Sequence, residues 1–163
     1  MNFVEGNMLK IKKDISVKIS LVLAYVALVG IAAACIALPF ILRHMLSSVN
    51  TVYMKRFVPS LIVLYSAVVP VSVADIMLIR LLGLVRESQV FTASAVAILR
   101  GISWCCFAEC AILLLESVIL FGLTTPIICA VAFVAAFLGI VLRVVKNVIE
   151  EATAIKSEND FTI

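Results

Sequence analysis

Four long stretches of the chain carry almost no polar side chains, and short polar or charged segments separate them. The first runs from Ile19 to Leu42 without a charge, behind the basic cluster Lys10, Lys12, Lys13 and Lys18. The second extends from Phe57 to about Val85 and is interrupted by Pro70, Asp75 and Arg80. The third covers about Gly101 to Phe121 and contains Glu109 and Glu116, and the fourth begins at Pro126 and stays uncharged until Arg143. At 1.5 Å per residue, about 20 apolar residues in a helix cross the roughly 30 Å hydrocarbon core of a bilayer. Lipid offers no partner to backbone polar groups, so runs of this length fit helices, whereas an outer-membrane barrel needs alternating segments of about ten residues. The pattern therefore predicts an all-α integral membrane protein. Its four transmembrane helices span about 19–42, 57–85, 101–121 and 126–145, within a single membrane domain over 1–163.

The segments between the helices set the topology. Gly122-Leu123-Thr124-Thr125-Pro126 offers a glycine exit, a threonine N-cap and a proline at the first helical position, so helices three and four are antiparallel neighbours. Ser47-Ser48-Val49-Asn50-Thr51 reads as a polar connection too short for an external domain. Lysines and arginines are unevenly divided: ten lie with the termini and the second loop, and three, Arg43, Lys55 and Arg56, lie on the other side. The positive-inside rule then places both termini in the cytoplasm. Ala32-Ala33-Ala34-Cys35 has the small residues of a cleavage site, but the apolar run continues past it to Leu42, which favours an uncleaved first span.

Composition narrows the class. Of 163 residues, 64% are hydrophobic and 14% charged, against about 45–50% and 25% in soluble domains, and the mean hydropathy is +1.24. A soluble globule and a disordered regulator are both excluded. The net charge of +3 sits beside the apolar runs and is read as topology, so no direct nucleic-acid binding is expected. Five cysteines, at 35, 105, 106, 110 and 129, all lie in apolar stretches and form no secreted disulfide framework. Cys106 and Cys110 share a helix face, but the lone histidine, His44, lies in the opposite loop, so neither a metal site nor a cofactor is expected. No nucleophile elbow, phosphate loop or cofactor fingerprint occurs, and the chain is read as non-enzymatic.

Ionisable groups in hydrocarbon cost about 2.5–3.5 kcal/mol at mid-span, which makes them the main functional pointers. Glu109 lies eight residues into the third span, roughly 12 Å deep, and Asp75 lies at a comparable depth on a helix running the other way. Glu116 is seven residues beyond Glu109, on nearly the same face and about 10 Å further out. Asp75, Glu109 and Glu116 can line a proton or cation path or a polar ligand pocket. Alternatively they are structural glue, Asp75 or Glu109 pairing with Arg80 or, across helices, with Arg100. Pro70 frees the carbonyl of Ser66 and predicts a kink, beside which Ser66, Ser72 and Asp75 would gather.

Beyond the fourth span, apolar residues at 141, 145, 148, 152 and 155 alternate four and three apart, which predicts a cytoplasmic helical stalk and tail over 146–163 with one apolar stripe. The N-terminal residues Phe3 to Ile15, apolar positions interleaved with lysines, suit the membrane surface or packing within the protein. The ending Lys156-Ser157-Glu158-Asn159-Asp160-Phe161-Thr162-Ile163 is a polar tetrad closed by an apolar hook, suited to docking a partner or the protein's own loop.

That ending resembles the Lys-Ser-Glu-Asn-Asp close of a bacterial membrane family known as domain of unknown function 2975. The proline-bearing second span, Val90-Phe91-Thr92 in the second loop and the four-span layout resemble it as well. The resemblance implies a small multi-pass protein of the bacterial inner membrane, encoded beside a small helix-turn-helix regulator. It supplies no catalytic residues. The expectation is a regulatory or sensory membrane protein in the lipid bilayer, able to form a homo-oligomer. Its cytoplasmic face, through Lys156 to Phe161, would hold such a regulator, with Pro70 or the buried acids as the hinge of a two-state element. The alternative is a small transporter or channel subunit moving protons or cations along the acids.

Overall fold

A computed structural model describes residues 3–49, 55–119 and 125–160. The connection at 50–51, the turn at 122–124 and the terminal hook Phe161 to Ile163 lie outside the described residues. Every element is helical: α1 (Phe3–Val49), α2 (Phe57–Arg86), α3 (Ala93–Ile119) and α4 (Thr125–Asp160). All four are long and apolar enough to cross a membrane, so the expected all-α class with four transmembrane helices holds.

Two segments are more helical than their composition predicts. Ser47, Ser48 and Val49 complete the last turn of α1 rather than forming a connection, and Ser47 Oγ donates to the His44 carbonyl at 2.9 Å. A serine that bonds back to its own turn satisfies its hydroxyl without ending the helix. At the other end, residues 3–15 continue α1 without a break, so this helix of 47 residues is roughly 70 Å long. It exceeds the hydrocarbon core about twofold.

The α2–α3 turn is built from local chemistry. Gln89 N–H donates to Leu84 O at 2.8 Å and Ser88 N–H to Val85 O at 3.2 Å, the paired bonds of a Schellman motif. Ser88 takes the left-handed position with φ 60°, where glycine is usual. Thr92 then caps α3: its Oγ1 accepts from Ala95 N–H at 3.4 Å and donates to Gln89 O at 3.0 Å. A tight turn closed at both ends holds α2 and α3 side by side.

Packing runs in chain order. The α3–α4 contact is the most extensive, α2–α3 follows, and α1 packs on α2; no comparable α1–α4 contact occurs among the described residues. Small residues permit the close approaches, as in membrane helices generally. A Cβ on Gly139 of α4 would stand 3.2 Å from the Phe107 ring and 3.3 Å from Cys106 Cβ, and one on Gly101 would meet Met77 Sδ at 2.7 Å. Ser103 Oγ, fully buried, donates to Gly139 O at 2.9 Å across the same interface.

The distribution of polarity is inverted relative to a soluble domain. Ile36, Phe40, Val118 and Phe133 are each at least 70% exposed, while the largest fully buried side chains are Glu116, Ser60 and Ser103. In water, exposed apolar and buried unpaired polar groups would both be costly. A hydrocarbon solvent accounts for the first, and the second marks the site.

Candidate functional site: a buried carboxyl on a four-helix cavity

Glu116 stands three residues before the end of α3, and Ser60 in the first turn of α2. The helices are antiparallel, so these positions meet near the end of the bundle opposite the chain termini. There the Arg56 guanidinium donates to the Ile119 carbonyl, tying the start of α2 to the last described turn of α3, where a cation suits the helix dipole. Glu116 is 1% exposed and Ser60 is 0% exposed. Ser60 lies beside the Glu116 carboxyl, yet neither Glu116 oxygen nor Ser60 Oγ has a hydrogen-bond partner in good geometry. Three polar atoms of one small cluster are therefore buried and unsatisfied, against the general rule that buried polar atoms are paired.

The hydrocarbon part of the Glu116 side chain borders a cavity of about 360 Å³, while its two carboxyl oxygens present no surface to it. All four helices contribute: Leu38 and Met45 from α1, Leu64 from α2, Leu113 and Glu116 from α3, and Ile127 from α4. Every lining residue other than Glu116 is apolar. Two of the lining residues, Met45 of α1 and Ile127 of α4, are 49% and 68% exposed. A volume of this size with predominantly apolar walls falls in the range of small-molecule sites.

A proline helps position the α1 wall. Pro39 has no N–H, so the carbonyl of Cys35 four residues earlier loses its helical donor. Tyr65 Oη of α2 donates to that carbonyl at 2.9 Å. The bond fastens α1 to α2 between the cavity residues Ala34 and Leu38 on one side and Leu64 on the other. Ser60 and Tyr65 carry no sequence signal of their own. Pro39 does, because it identifies Cys35 as a carbonyl in need of a donor.

The remaining sequence-predicted residues are dispersed. Asp75 is buried with Oδ2 unpaired, and Glu109, half-buried, has an unpaired Oε2. With Met77 against Gly101 and Ser60 beside Glu116, the residue of α2 level with Glu109 is near Val68. Asp75 is thus roughly 10 Å lower than Glu109 rather than at one depth with it. The three acids form a staggered series along the α2–α3 contact, not a cluster.

The expected cationic partner goes elsewhere. Arg100 Nη2 lies 3.7 Å from Glu150 Oε1 of α4, and Lys146 Nζ lies 2.5 Å from the other oxygen of the same carboxylate. Arg80 is exposed. Among the described residues the expected Arg100 partner of the interior acids is taken by the α4 stalk, because Arg100 lies on an exposed side of α3. Pro70 lies inside an unbroken α2; Ser66 is exposed and its Oγ bonds back to Val63 O at 2.6 Å, so Ser66, Ser72 and Asp75 do not gather around it.

The stalk is helical to Asp160, but its apolar stripe does not face the bundle. Leu142, Lys146, Ile149, Ala152 and Thr153 are the half-buried positions, so of the stripe only Ala152 is partly covered, whereas Val141, Val145, Val148 and Ile155 are exposed. Lys156 and Glu158 are exposed as well, and Ser157, Asn159 and Asp160 belong to the helix. Arg143 lies over the rings of Trp104 and Phe107, at 4.7 and 5.3 Å from their centroids, a cation–π seat for a charge at the end of the span. Cys106 and Cys110 are half-buried, and no group of three metal-ligating side chains converges among the described residues.

Comparison with known proteins gives one finding. No curated protein and no solved structure matches the chain. A family described as protein of unknown function (DUF2975) matches residues 41–163, from the cavity wall of α1 through all of α2, α3 and α4. Three quarters of the chain, including Ser60, Tyr65, Glu116 and the stalk, lies inside that match, and the protein belongs to this family of unknown function.

Proposed function

We propose that the protein is a non-enzymatic sensory or regulatory component of the bacterial inner membrane, with both termini cytoplasmic. Its input is a molecule held in the four-helix cavity, and its output is the state of the α4 stalk at the opposite end. The observation that carries this reading is Glu116 beside an apolar cavity: a carboxyl that is 1% exposed and unpartnered is poor glue, because its unsatisfied oxygens oppose folding, and it marks the cavity end of the bundle as a site.

The route between the two ends is the α3–α4 interface, the most extensive in the molecule, with Ser103 bonded to Gly139 at its middle. A ligand that binds one arrangement of this interface more tightly than another shifts the population of stalk positions. The exposed stalk residues Val148, Ile155, Lys156 and Glu158 then form the face for a soluble partner, a small helix-turn-helix regulator. The test is affinity purification of the full chain beside a truncation after Ala154. Recovery of a DNA-binding protein by the full chain and its loss from the truncation support the reading. Equal recovery by both, or by neither, overturns the proposed output.

The staggered unpaired oxygens of Asp75, Glu109 and Glu116 favour a second reading, a proton or cation path. About 10 Å separates successive acids, so conduction would need intervening water. In liposomes, Glu109→Gln would abolish flux while leaving the fold intact.

A further inference from the structure

We infer that the protein pairs with a second copy of itself along α4, whose exposed seam forms a parallel two-stranded coiled coil running from the membrane into the stalk. The inference goes beyond the proposed output and bears on the same face, since a second copy and a soluble partner are alternative covers for it. It is tested with the purified chain alone, so it stands or falls separately from the soluble partner.

Three observations carry it. First, the repeat is long and unbroken. The alternation of four and three that runs through Val141, Val145, Val148, Ala152 and Ile155 extends back through 138, 134 and 131 to Ile127. One seven-residue repeat therefore covers positions 127–155, about 42 Å of helix. A strict repeat of seven drifts around a straight helix of 3.6 residues per turn, and it stays in contact with a partner helix when the two wind around each other left-handed. Every position in the repeat is apolar, and all those larger than alanine are exposed. The face of α4 turned to the bundle is a different one, carrying Ala132, Gly139 and Lys146.

Second, lipid covers only part of the seam. With 36 residues, α4 is roughly 54 Å long against about 30 Å of hydrocarbon. Arg143, seated on Trp104, marks the end of the span, so Val145, Val148, Ala152 and Ile155 stand beyond it among Lys146, Asn147, Glu150 and Glu151. Within the span a lipid tail is as apolar a neighbour as leucine. In water, a contiguous row of exposed apolar side chains is driven to bury against protein.

Third, the flanking charges are complementary to their own copy. With 131, 138, 145 and 152 at heptad position a and 127, 134, 141, 148 and 155 at position d, Glu151 falls at position g and Lys156 at position e. In a parallel pair, a residue at g meets the residue at e five positions further along the partner helix. Glu151 then faces the Lys156 of the second copy, and two-fold symmetry makes the contact twice. Both side chains are exposed, and the stalk's own ion pairs, Arg100 and Lys146 with Glu150, leave both of them out. The bilayer imposes the parallel orientation, because two copies inserted alike present α4 in the same direction.

The test is fluorescence energy transfer between copies of the full chain labelled at the N-terminus with donor or acceptor and reconstituted at falling protein-to-lipid ratios. Transfer above the level given by an unrelated membrane protein at the same density, and linear in acceptor fraction as for a pair, is the expected result. Val148→Asp sets two carboxylates face to face in the seam at a position that is exposed in the single chain, and it should reduce transfer to that level. Asn147→Asp, exposed one residue away and outside the seam, should leave transfer unchanged. Glu151→Lys turns two attractive contacts repulsive and should weaken pairing roughly tenfold, and adding Lys156→Glu should restore it to within about twofold. Background transfer in the parent protein, or undiminished transfer in Val148→Asp, overturns the pairing. Transfer that curves with acceptor fraction overturns the two-fold assembly, and a double charge exchange that recovers nothing overturns the parallel register.

Discussion

If Glu116 serves recognition rather than folding, removing its polarity stabilises the protein. The perturbation is Glu116→Met, which keeps an unbranched side chain of similar reach and exchanges the carboxyl for an adaptable apolar end. The parent residue is 1% exposed and neither carboxyl oxygen has a partner, so no hydrogen bond is lost. A buried polar group left unsatisfied costs about 1–3 kcal/mol, and methionine is close to glutamate in length and volume, so overpacking adds little strain. The cost recovered is about 2 kcal/mol if the carboxyl counts as one orphaned group. Ser60 Oγ remains buried and unpaired in the variant, so its own penalty is unchanged. The assay is reversible unfolding in mixed micelles of increasing sodium dodecyl sulfate fraction, followed by circular dichroism and extrapolated linearly. A midpoint shifted toward higher dodecyl sulfate, with an unchanged slope, is the expected result. A loss of 1 kcal/mol or more would refute the reasoning, because it would mean that Glu116 makes a structural bond. Stability gained by deleting a buried functional group is the ordinary signature of a site maintained against folding.

Three further outcomes follow from particular contacts. Ser103→Ala removes the buried bond to the Gly139 carbonyl and should destabilise by about 0.6–1.7 kcal/mol, the range for hydrogen bonds between membrane helices, in the same unfolding assay. Tyr65→Phe leaves the Cys35 carbonyl without a donor and should cost about 1 kcal/mol. In a Pro39→Ala background the residue-39 N–H takes over that carbonyl, so a double-mutant cycle should return coupling near the full cost of Tyr65→Phe; additive behaviour would sink the assignment. Ser88→Gly relieves an L-residue held at φ 60° and should raise stability by roughly 0.5–1 kcal/mol, the left-handed strain less the extra entropy of glycine, measured by thermal unfolding in detergent.

Particular residues mark how far the sequence could be read. Glu116 was legible as an ionisable group in an apolar run, because its cost in hydrocarbon depends on its own segment alone. Ser60 was not, since serine is ordinary in membrane helices and only the approach of α2 to α3 gives it a carboxyl neighbour. Arg100 was expected to meet an interior acid, yet it bridges to Glu150, because residues that are level with each other need not share a face. The stalk was legible as a helix with an apolar stripe, but its half-buried side is 142, 146, 149, 152 and 153, which takes in only Ala152 of the stripe. There the close α3–α4 packing around Gly139 fixes the rotation of α4 before its last turns are reached.

The sequence by itself determined that this is an all-α membrane protein, how many helices cross the membrane and roughly where each crossing lies. Those properties follow from a constraint that acts on one segment at a time: in lipid, each crossing must satisfy its own backbone and present apolar side chains. Which faces turn inward was decided only by the tertiary structure. Helices α1, α2 and α3 are apolar nearly all round, so no amphipathic pattern says which side is interior. Small residues, a proline-freed carbonyl and one serine bond set the facing instead. That facing brings Ser60 to Glu116 and leaves a space among four helices, a relation between distant segments that no single run of residues encodes.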